Sequence, residues 1–322
     1  MRHTIAIDLG GTIIKIGLLK NGHLIERAEL KAIVSSGLKP QLAPIEKSVN
    51  QLLTNSSLGT ADLMGIGFSF AGLVNSSINK IISTNQKYDD GPEIDLVGWA
   101  REKWNSPLFA ENDARMALLG EWKRGAGKIC NDLVMVTLGT GIGSAVLIDG
   151  QLLKGKHFQA GNLGGHFTIN YQGSTCTCGN IGCVESEAST WRLPSLIKEH
   201  PGFNNSSLSR EPLLDFNALF LNAKNDDVLA KEILAHCLSV WSAGIISMIH
   251  AYDPELVILS GGIMKSASMF LPALQENVYQ RAWTPWGKVK LVAANYPDDA
   301  ALYGADYLVG QQLMKPTDII HQ

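Results

Sequence analysis

Asp8-Leu9-Gly10-Gly11-Thr12 and Leu138-Gly139-Thr140-Gly141-Ile142-Gly143 decide the fold of this chain, because each stands between two strand-like runs. Thr4 to Leu9 alternates with period two, the glycine turn follows, Ile13 to Lys20 reads as a second strand, and Asn21-Gly22 is a hairpin turn. Downstream, Leu133 to Leu138 enters the second glycine turn, and Ser144 to Ile148 leads to another hairpin turn at Asp149-Gly150. Gly10 precedes Gly22 by 12 residues and Gly139 precedes Gly150 by 11, so the two devices match in length as well as type. The pattern reads as a duplicated half-fold.

A glycine turn lets a ligand approach the backbone, and its consecutive N–H groups form a nest for phosphate oxygens. One such turn alone reads as ordinary hairpin punctuation. Two in equivalent places of a repeat point to a pair of phosphate loops. No Gly-Lys-Ser/Thr follows either turn, and the next element is a strand rather than a helix, which excludes a P-loop and a dinucleotide fingerprint.

The surrounding elements follow from periodicity. Helices are expected at Gln41 to Leu53, at Leu96 to Trp104 and, with Asn112 or Asp113 as cap, through Met116 to Trp122 as far as Gly125. Met64 to Phe70 and Leu256 to Leu259 read as strands, residues 186–250 as mostly helical with a polar break at Asn204 to Ser207, and Ala300 to Leu313 as a closing helix.

At 322 residues the chain exceeds the roughly 250 at which single cores stop growing, so two lobes are expected. With 45% hydrophobic and 18% charged residues and 32 glycines, it is a folded globular protein. A net charge of −3 and the lack of any long Lys/Arg run exclude duplex nucleic acid as a partner. No apolar run approaches the roughly 18 residues of a membrane span, and the N-terminus enters a strand directly, so neither membrane nor signal peptide is expected. Five cysteines are too few for a disulfide scaffold, which fits a reducing cytoplasm.

Three of those cysteines cluster. His166, Cys176, Cys178 and Cys183 spell H-x9-C-x-C-x4-C, a donor set suited to a closed, tetrahedral, structural Zn²⁺ site, with a Cys178–Cys183 disulfide as the competing reading. Cys130 and Cys237 read as buried apolar residues, and Trp191, Trp241, Trp283 and Trp286 more readily as core than as sugar platforms.

Taken together, these motifs resemble the ROK sugar kinases (repressor, open reading frame, kinase), which share a superfold with actin, the heat-shock ATPases and hexokinase. The resemblance runs nearly end to end. Asp8-Leu9-Gly10-Gly11-Thr12 is similar to the family's first phosphate loop and Gly139-Thr140-Gly141-Ile142-Gly143 to its second. Ser260-Gly261-Gly262 resembles the glycine pair beside adenosine, Glu111-Asn112-Asp113 the sugar and catalytic motif, and the cysteine loop, with Glu185 after it, the zinc motif. The implied fold is α/β, a duplicated actin-like ATPase (ribonuclease H-like) fold of two lobes with sugar and ATP in a central cleft. The implied lobes are residues 1–110 plus 300–322 and residues 111–299.

The resemblance implies an ATP-dependent, glucokinase-like kinase acting on a 6-hydroxyl, with N-acetylmannosamine, N-acetylglucosamine or fructose as alternative substrates. It also implies a homodimer or homotetramer. Transfer to an alcohol calls for a carboxylate base, and Asp113 is the candidate, with a helix cap as its plain alternative. Asn112, His166 and Glu185 are implied to bind sugar, and Asn85 lies where the family has a substrate loop. Asp8 is expected to hold Mg²⁺ or its waters, or else to serve as a strand-end turn former. Some ROK relatives are sugar-sensing repressors with a DNA-reading domain ahead of the kinase-like part; with the first strand beginning at Thr4, none is expected here.

One departure stands out. Most ROK kinases read Gly-Glu-x-Gly-His before the zinc loop, whereas this chain reads Gly161-Asn162-Leu163-Gly164-Gly165-His166. The glutamate is replaced by Asn162 or Leu163, depending on the end from which one counts. A lost carboxylate should change which sugar hydroxyls are recognised, and the extra glycine should shift the backbone.

Overall fold

The computed structural model describes residues 3–84 and 87–314. From the N-terminus, β1 (His3–Leu9), β2 (Ile13–Lys20) and β3 (His23–Lys31) form an antiparallel meander. Asn21 at φ 50° and Gly22 at φ 81° supply the two left-handed residues its tight hairpin needs. The helix α1 (Lys39–Asn55) leads to β4 (Leu63–Phe70), which runs parallel to β1. A short ribbon of β5 (Leu73–Asn75) and β6 (Lys80–Ser83) precedes α2 (Leu96–Trp104), β7 (Leu108–Asn112) and α3 (Asp113–Arg124). The sheet order is β3-β2-β1-β4-β7.

The same plan recurs in the second unit. β8 (Leu133–Leu138), β9 (Ile142–Ile148) and β10 (Gln151–Leu152) form a second meander, turned by Asp149 at φ 50° and Gly150 at φ 70°. Helices α4 (Val184–Ala188), α5 (Leu193–Lys198), α6 (Phe216–Lys224) and α7 (Val228–Tyr252) precede β11 (Leu256–Ser260), α8 (Ala267–Arg281) and β12 (Lys290–Ala293). The order is β10-β9-β8-β11-β12, with β11 parallel to β8 and β12 parallel to β11. Two sheets with the same order and the same strand senses bear out the duplicated half-fold.

The last helix, α9 (Ala300–Met314), packs on α3, β1 and β4 and therefore belongs to the first unit. One compact unit holds the chain up to Ile129, Lys154–Ala160 and the segment from Asn295 on; the other holds Cys130–Leu153 and Gly161–Ala294. The division thus falls after α3, not at residue 110. β7 hydrogen-bonds to β4, and α3 lies so close to α9 that neither helix tolerates a side chain at the crossing. A Cβ on Gly120 would stand 1.9 Å from the Ala300 carbonyl oxygen, and one on Gly304 would stand 1.8 Å from that of Met116. Gly120→Ala is accordingly expected to destabilise the protein by about 3 kcal/mol, since the obstructing atoms are backbone and cannot rotate away. Thermal unfolding followed by circular dichroism checks this, and an unchanged Tm would contradict so close a crossing.

Three expectations are corrected. α7 is long and apolar enough to cross a membrane by length and composition, contrary to the reading of the sequence as free of such segments. Half of its most apolar stretch is buried within the structure, where its Trp241 packs against Phe216 of α6 and Phe270 of α8, as in a core helix. Trp241 is core, but Trp191 is 37% exposed in the turn between α4 and α5, and Trp283 and Trp286 are 78% and 60% exposed because they lie in the irregular segment after α8. Cys237 is buried, whereas Cys130 is only half-buried, in the link between α3 and β8.

Candidate functional site

In the first unit β1 delivers Asp8 to the edge of the first glycine turn. Ser69, on the neighbouring parallel strand β4, donates its hydroxyl to Asp8 Oδ1 at 2.7 Å, and Lys15 stands opposite Asp8 in the β1–β2 register. Burial pushes the Asp8 carboxyl upward, against the Ser69 hydrogen bond and the Lys15 charge. A side chain at Gly10 would collide with the Ile13 carbonyl at 2.6 Å, so the turn itself requires glycine there.

Asn112 and Asp113 sit where β7 becomes α3. Asn112 is the N-cap: its Oδ1 accepts from the Arg115 N–H at 3.1 Å. Its amide nitrogen donates to the Gly72 carbonyl at 3.0 Å and to Asp113 Oδ1 at 2.8 Å. The Ala114 N–H donates to that same Oδ1 at 2.8 Å. Asp113 is therefore not the cap. Its hydrogen bonds from described residues fall on one oxygen, which leaves Oδ2 for a substrate. Burial, and then the negative charge of Asp8, push the Asp113 carboxyl up to about 6, while Ala114 N–H, Lys87 and Asn112 pull the other way. A carboxylate of that pKa is poised to accept a proton near neutrality.

Behind this pair lies a buried charge network that the sequence did not announce. Glu111 and Arg115 are fully buried and 3.4 Å apart, Lys154 Nζ is 2.8 Å from Glu111 Oε2, and Arg115 Nη2 donates to the Ala160 carbonyl at 2.7 Å. Lys154 also donates to Ser76 Oγ at 2.6 Å. The network pins the end of β7, and with it the backbone that carries Asn112 and Asp113.

In the second unit, the turn from Gly139 to Gly143 is closed by Gly139 N–H donating to the Gly141 carbonyl at 3.0 Å. Glu185, on α4, accepts from the Ile142 N–H at 2.8 Å through Oε2. A Cβ on Gly141 would stand 2.4 Å from that oxygen, so glycine is what lets Glu185 reach the turn. Gly262 differs, because no atom lies within 4 Å of where its Cβ would be. Packing does not demand glycine there, whereas the close approach of a ligand would. Gly261, at φ 97°, closes on the Leu138 carbonyl and brings the end of β11 against the end of β8.

The departure loop is held by Ser144, whose hydroxyl donates to the Gly161 carbonyl at 2.6 Å and accepts from the Gly164 N–H at 2.8 Å. Gly165 is pressed on β9: its Cβ would lie 1.8 Å from the Ile142 carbonyl oxygen. Leu163 faces outward, while Asn162 Oδ1 is buried with no hydrogen-bond partner among the described residues. Of the two ways of counting, the structure therefore presents Asn162 as the inward polar group.

His166, Cys176, Cys178 and Cys183 converge, their donor atoms all within 4.8 Å of one another. Cys176 Sγ is 3.5 Å from His166 Nδ1, and Cys178 Sγ is 3.7 Å from Cys183 Sγ. A tetrahedral zinc with bonds of about 2.1–2.3 Å has edges of roughly 3.5–3.8 Å. The separations suit that ion and exclude a Cys178–Cys183 disulfide in this structure, where all five cysteines are free. The cluster fits the metal, and Nδ1 is the ring nitrogen facing it. Cys183 is also the residue before α4, which ties Glu185 to the loop.

The structure thus gathers Asp8, Gly10, Gly11, Thr12, Asn112 and Asp113 in the first unit. In the second, Glu185 joins the turn of Gly139, Thr140, Gly141 and Gly143 to the cysteine loop. Asn85 lies outside the described residues. Sequence reasoning missed Ser69, Lys15, Lys87 and Tyr88. Ser69 and Lys15 were recoverable from strand pairing with Asp8; Lys87 and Tyr88 carried no signal, because they reach the turn from an irregular segment.

The ROK family profile matches residues 4–312. A glucokinase of Thermotoga maritima is 28% identical, over 96% of this chain and 98% of its own length. The xylose repressor of Bacillus subtilis is also 28% identical, over 81% of this chain but 65% of the repressor. Among solved structures, a ROK hexokinase from Thermus thermophilus superposes with a TM-score of 0.81 at 25% identity, covering 97% of this chain and 99% of the hexokinase. With the repeated sheets, the paired glycine turns and the zinc-type cluster, these matches make the chain a member of the ROK family, built on the actin-like ATPase fold.

Proposed function

We propose that this protein is an ATP- and Mg²⁺-dependent kinase that phosphorylates the 6-hydroxyl of a hexose or hexose derivative. The observation that carries the reading is Asp113, fixed through Oδ1, open at Oδ2 and with its pKa raised to about 6. Similarity to a glucokinase and a hexokinase supports it. In the reaction the sugar oxygen bonds to the γ-phosphorus as the bond to the bridging oxygen of ADP breaks, and the hydroxyl proton passes to Asp113 Oδ2. Asp8 holds Mg²⁺ or its waters, and the two glycine turns cradle phosphates. Asn112 has spent its amide hydrogens within the protein, so its sugar contact falls to the second lone pair of Oδ1. Glu185 Oε1 accepts only at 3.5 Å from Thr177 Oγ1 and Trp191 Nε1, long contacts that a sugar hydroxyl can displace, and His166 keeps Nε2. When bound, zinc supplies structural cross-linking of the loop and no chemistry at the phosphate.

Asn162 determines the sugar in this reading. Its unpaired, buried Oδ1 awaits a donor, and its neutral amide replaces an anionic acceptor with one that also donates. The expected substrate differs from plain glucose at the carbons this loop meets, or is glucose held with a millimolar KM. A coupled assay of ADP release with glucose, mannose, fructose, allose, N-acetylglucosamine and N-acetylmannosamine tests both statements, for the wild type and Asn162→Glu. ADP release with none of them refutes the kinase reading and favours a sugar-binding regulator akin to the repressors. Glucose preferred at micromolar KM by the wild type refutes the role of Asn162 alone.

A further inference from the structure

We infer that Lys87 is a phosphate-binding residue of the first glycine turn, its ammonium contacting the γ-phosphoryl group; the inference rests on the kinase reading above. The side chain lies against Gly11 of the turn. Lys87 Cε and Nζ are each 3.4 Å from where a Cβ on Gly11 would be, nearer than any other atoms. Among the described residues Lys87 takes part in no ion pair and no side-chain hydrogen bond, although it is partly buried. A lysine on an ordinary solvated face would not be held against the backbone of a phosphate nest.

The segment that carries it is firmly anchored. The Lys87 N–H donates to the Thr84 carbonyl at 3.0 Å, and Tyr88 follows, fully buried, at φ 57°. A left-handed aromatic residue is strained and persists only where its surroundings over-determine it. Here they do: the Tyr88 hydroxyl donates to the Gly10 carbonyl at 2.8 Å, its N–H to the Val34 carbonyl at 3.3 Å, and its carbonyl accepts from Gly91 at 2.8 Å. Tyr88 thus locks the segment to the glycine turn and leaves Lys87 beside Gly11. The Lys87 charge also reaches Asp113 and opposes the rise of its pKa. An ammonium near both the nest and the base can meet the charge that spreads over the γ-phosphoryl oxygens during transfer.

The test is calorimetric titration with the non-hydrolysable triphosphate AMPPNP and with ADP, each with Mg²⁺, on wild type, Lys87→Met and Lys87→Arg. Lys87→Met is expected to weaken AMPPNP binding about tenfold or more, leaving ADP affinity and Tm unchanged, while Lys87→Arg retains most of the AMPPNP affinity. If Lys87→Met binds AMPPNP as the wild type does, or weakens both nucleotides equally, the proposal is overturned and the kinase reading stands. A wild type that binds neither nucleotide overturns the kinase reading and this proposal with it.

Discussion

Asp113→Asn is expected to lower kcat by about 10² or more while nucleotide binding and the fold are retained. Asparagine preserves the shape and the Oδ1 acceptor for Asn112 and Ala114, so the change removes only the proton acceptor. The wild-type rate should rise with pH through about 6, because the carboxylate, not the acid, accepts the proton. Stability should show the opposite trend. The folded state binds this proton more tightly than the unfolded chain, whose carboxylates titrate near 4, so stability falls as pH rises between roughly 4 and 6. At pH 8 the charged, desolvated group costs at most about 3 kcal/mol, which asparagine relieves. The variant should therefore be nearly inactive yet at least as stable as the wild type. Turnover within a few-fold of wild type would remove Asp113 from the role of base.

Removal of the metal should have the second large effect. Metal analysis is expected to find about one zinc per chain, and Cys178→Ser should lose it, with a fall in Tm of about 10 °C. The physical reason is the length of backbone that depends on the ion. Residues 168–183 are crossed by two isolated bridges, Thr168 to Cys183 and Thr175 to Ile181, and otherwise contain little regular structure. Most hydrogen bonds of that stretch join its own residues, such as Ile169 N–H to the Gly182 carbonyl and Cys176 N–H to that of Asn180, so the ion is the cross-link that fixes the coil as a whole. Activity should fall as well, chiefly through KM, because Cys183 starts α4 and Glu185, two residues on, braces the second glycine turn at the Ile142 N–H. Metal-free protein of full stability and activity would contradict the assignment.

These two expectations differ in how far the sequence alone led to them. The His166–cysteine cluster was legible because its four donors occupy one short loop, where spacing alone brings them together. The duplicated glycine turns were legible for a similar reason: strand, turn and strand are local, and Asn21-Gly22 and Asp149-Gly150 dictate their hairpins through φ. The strand β7 was not seen, since an acidic residue interrupts its short apolar run; only the pairing of Glu111 with Lys154 and Arg115 makes that burial tolerable. The boundary after α3 was equally hidden, because it depends on glycine-to-backbone contact between helices about 180 residues apart in the chain.

By itself, then, the sequence determined the repeat, the two glycine turns and the clustering of His166 with three cysteines, all of which rest on local backbone geometry or on residues close in the chain, while Asp113 was singled out as candidate base through the family resemblance. Tertiary structure alone decided which of Asn112 and Asp113 caps α3, which oxygen of Asp113 is left open, and how far burial and Asp8 raise its pKa. It also decided that Asn162 rather than Leu163 turns inward and that Lys87 lies against Gly11. Each of these depends on desolvation or on contacts between segments distant in the chain, and such quantities exist only once the chain is packed.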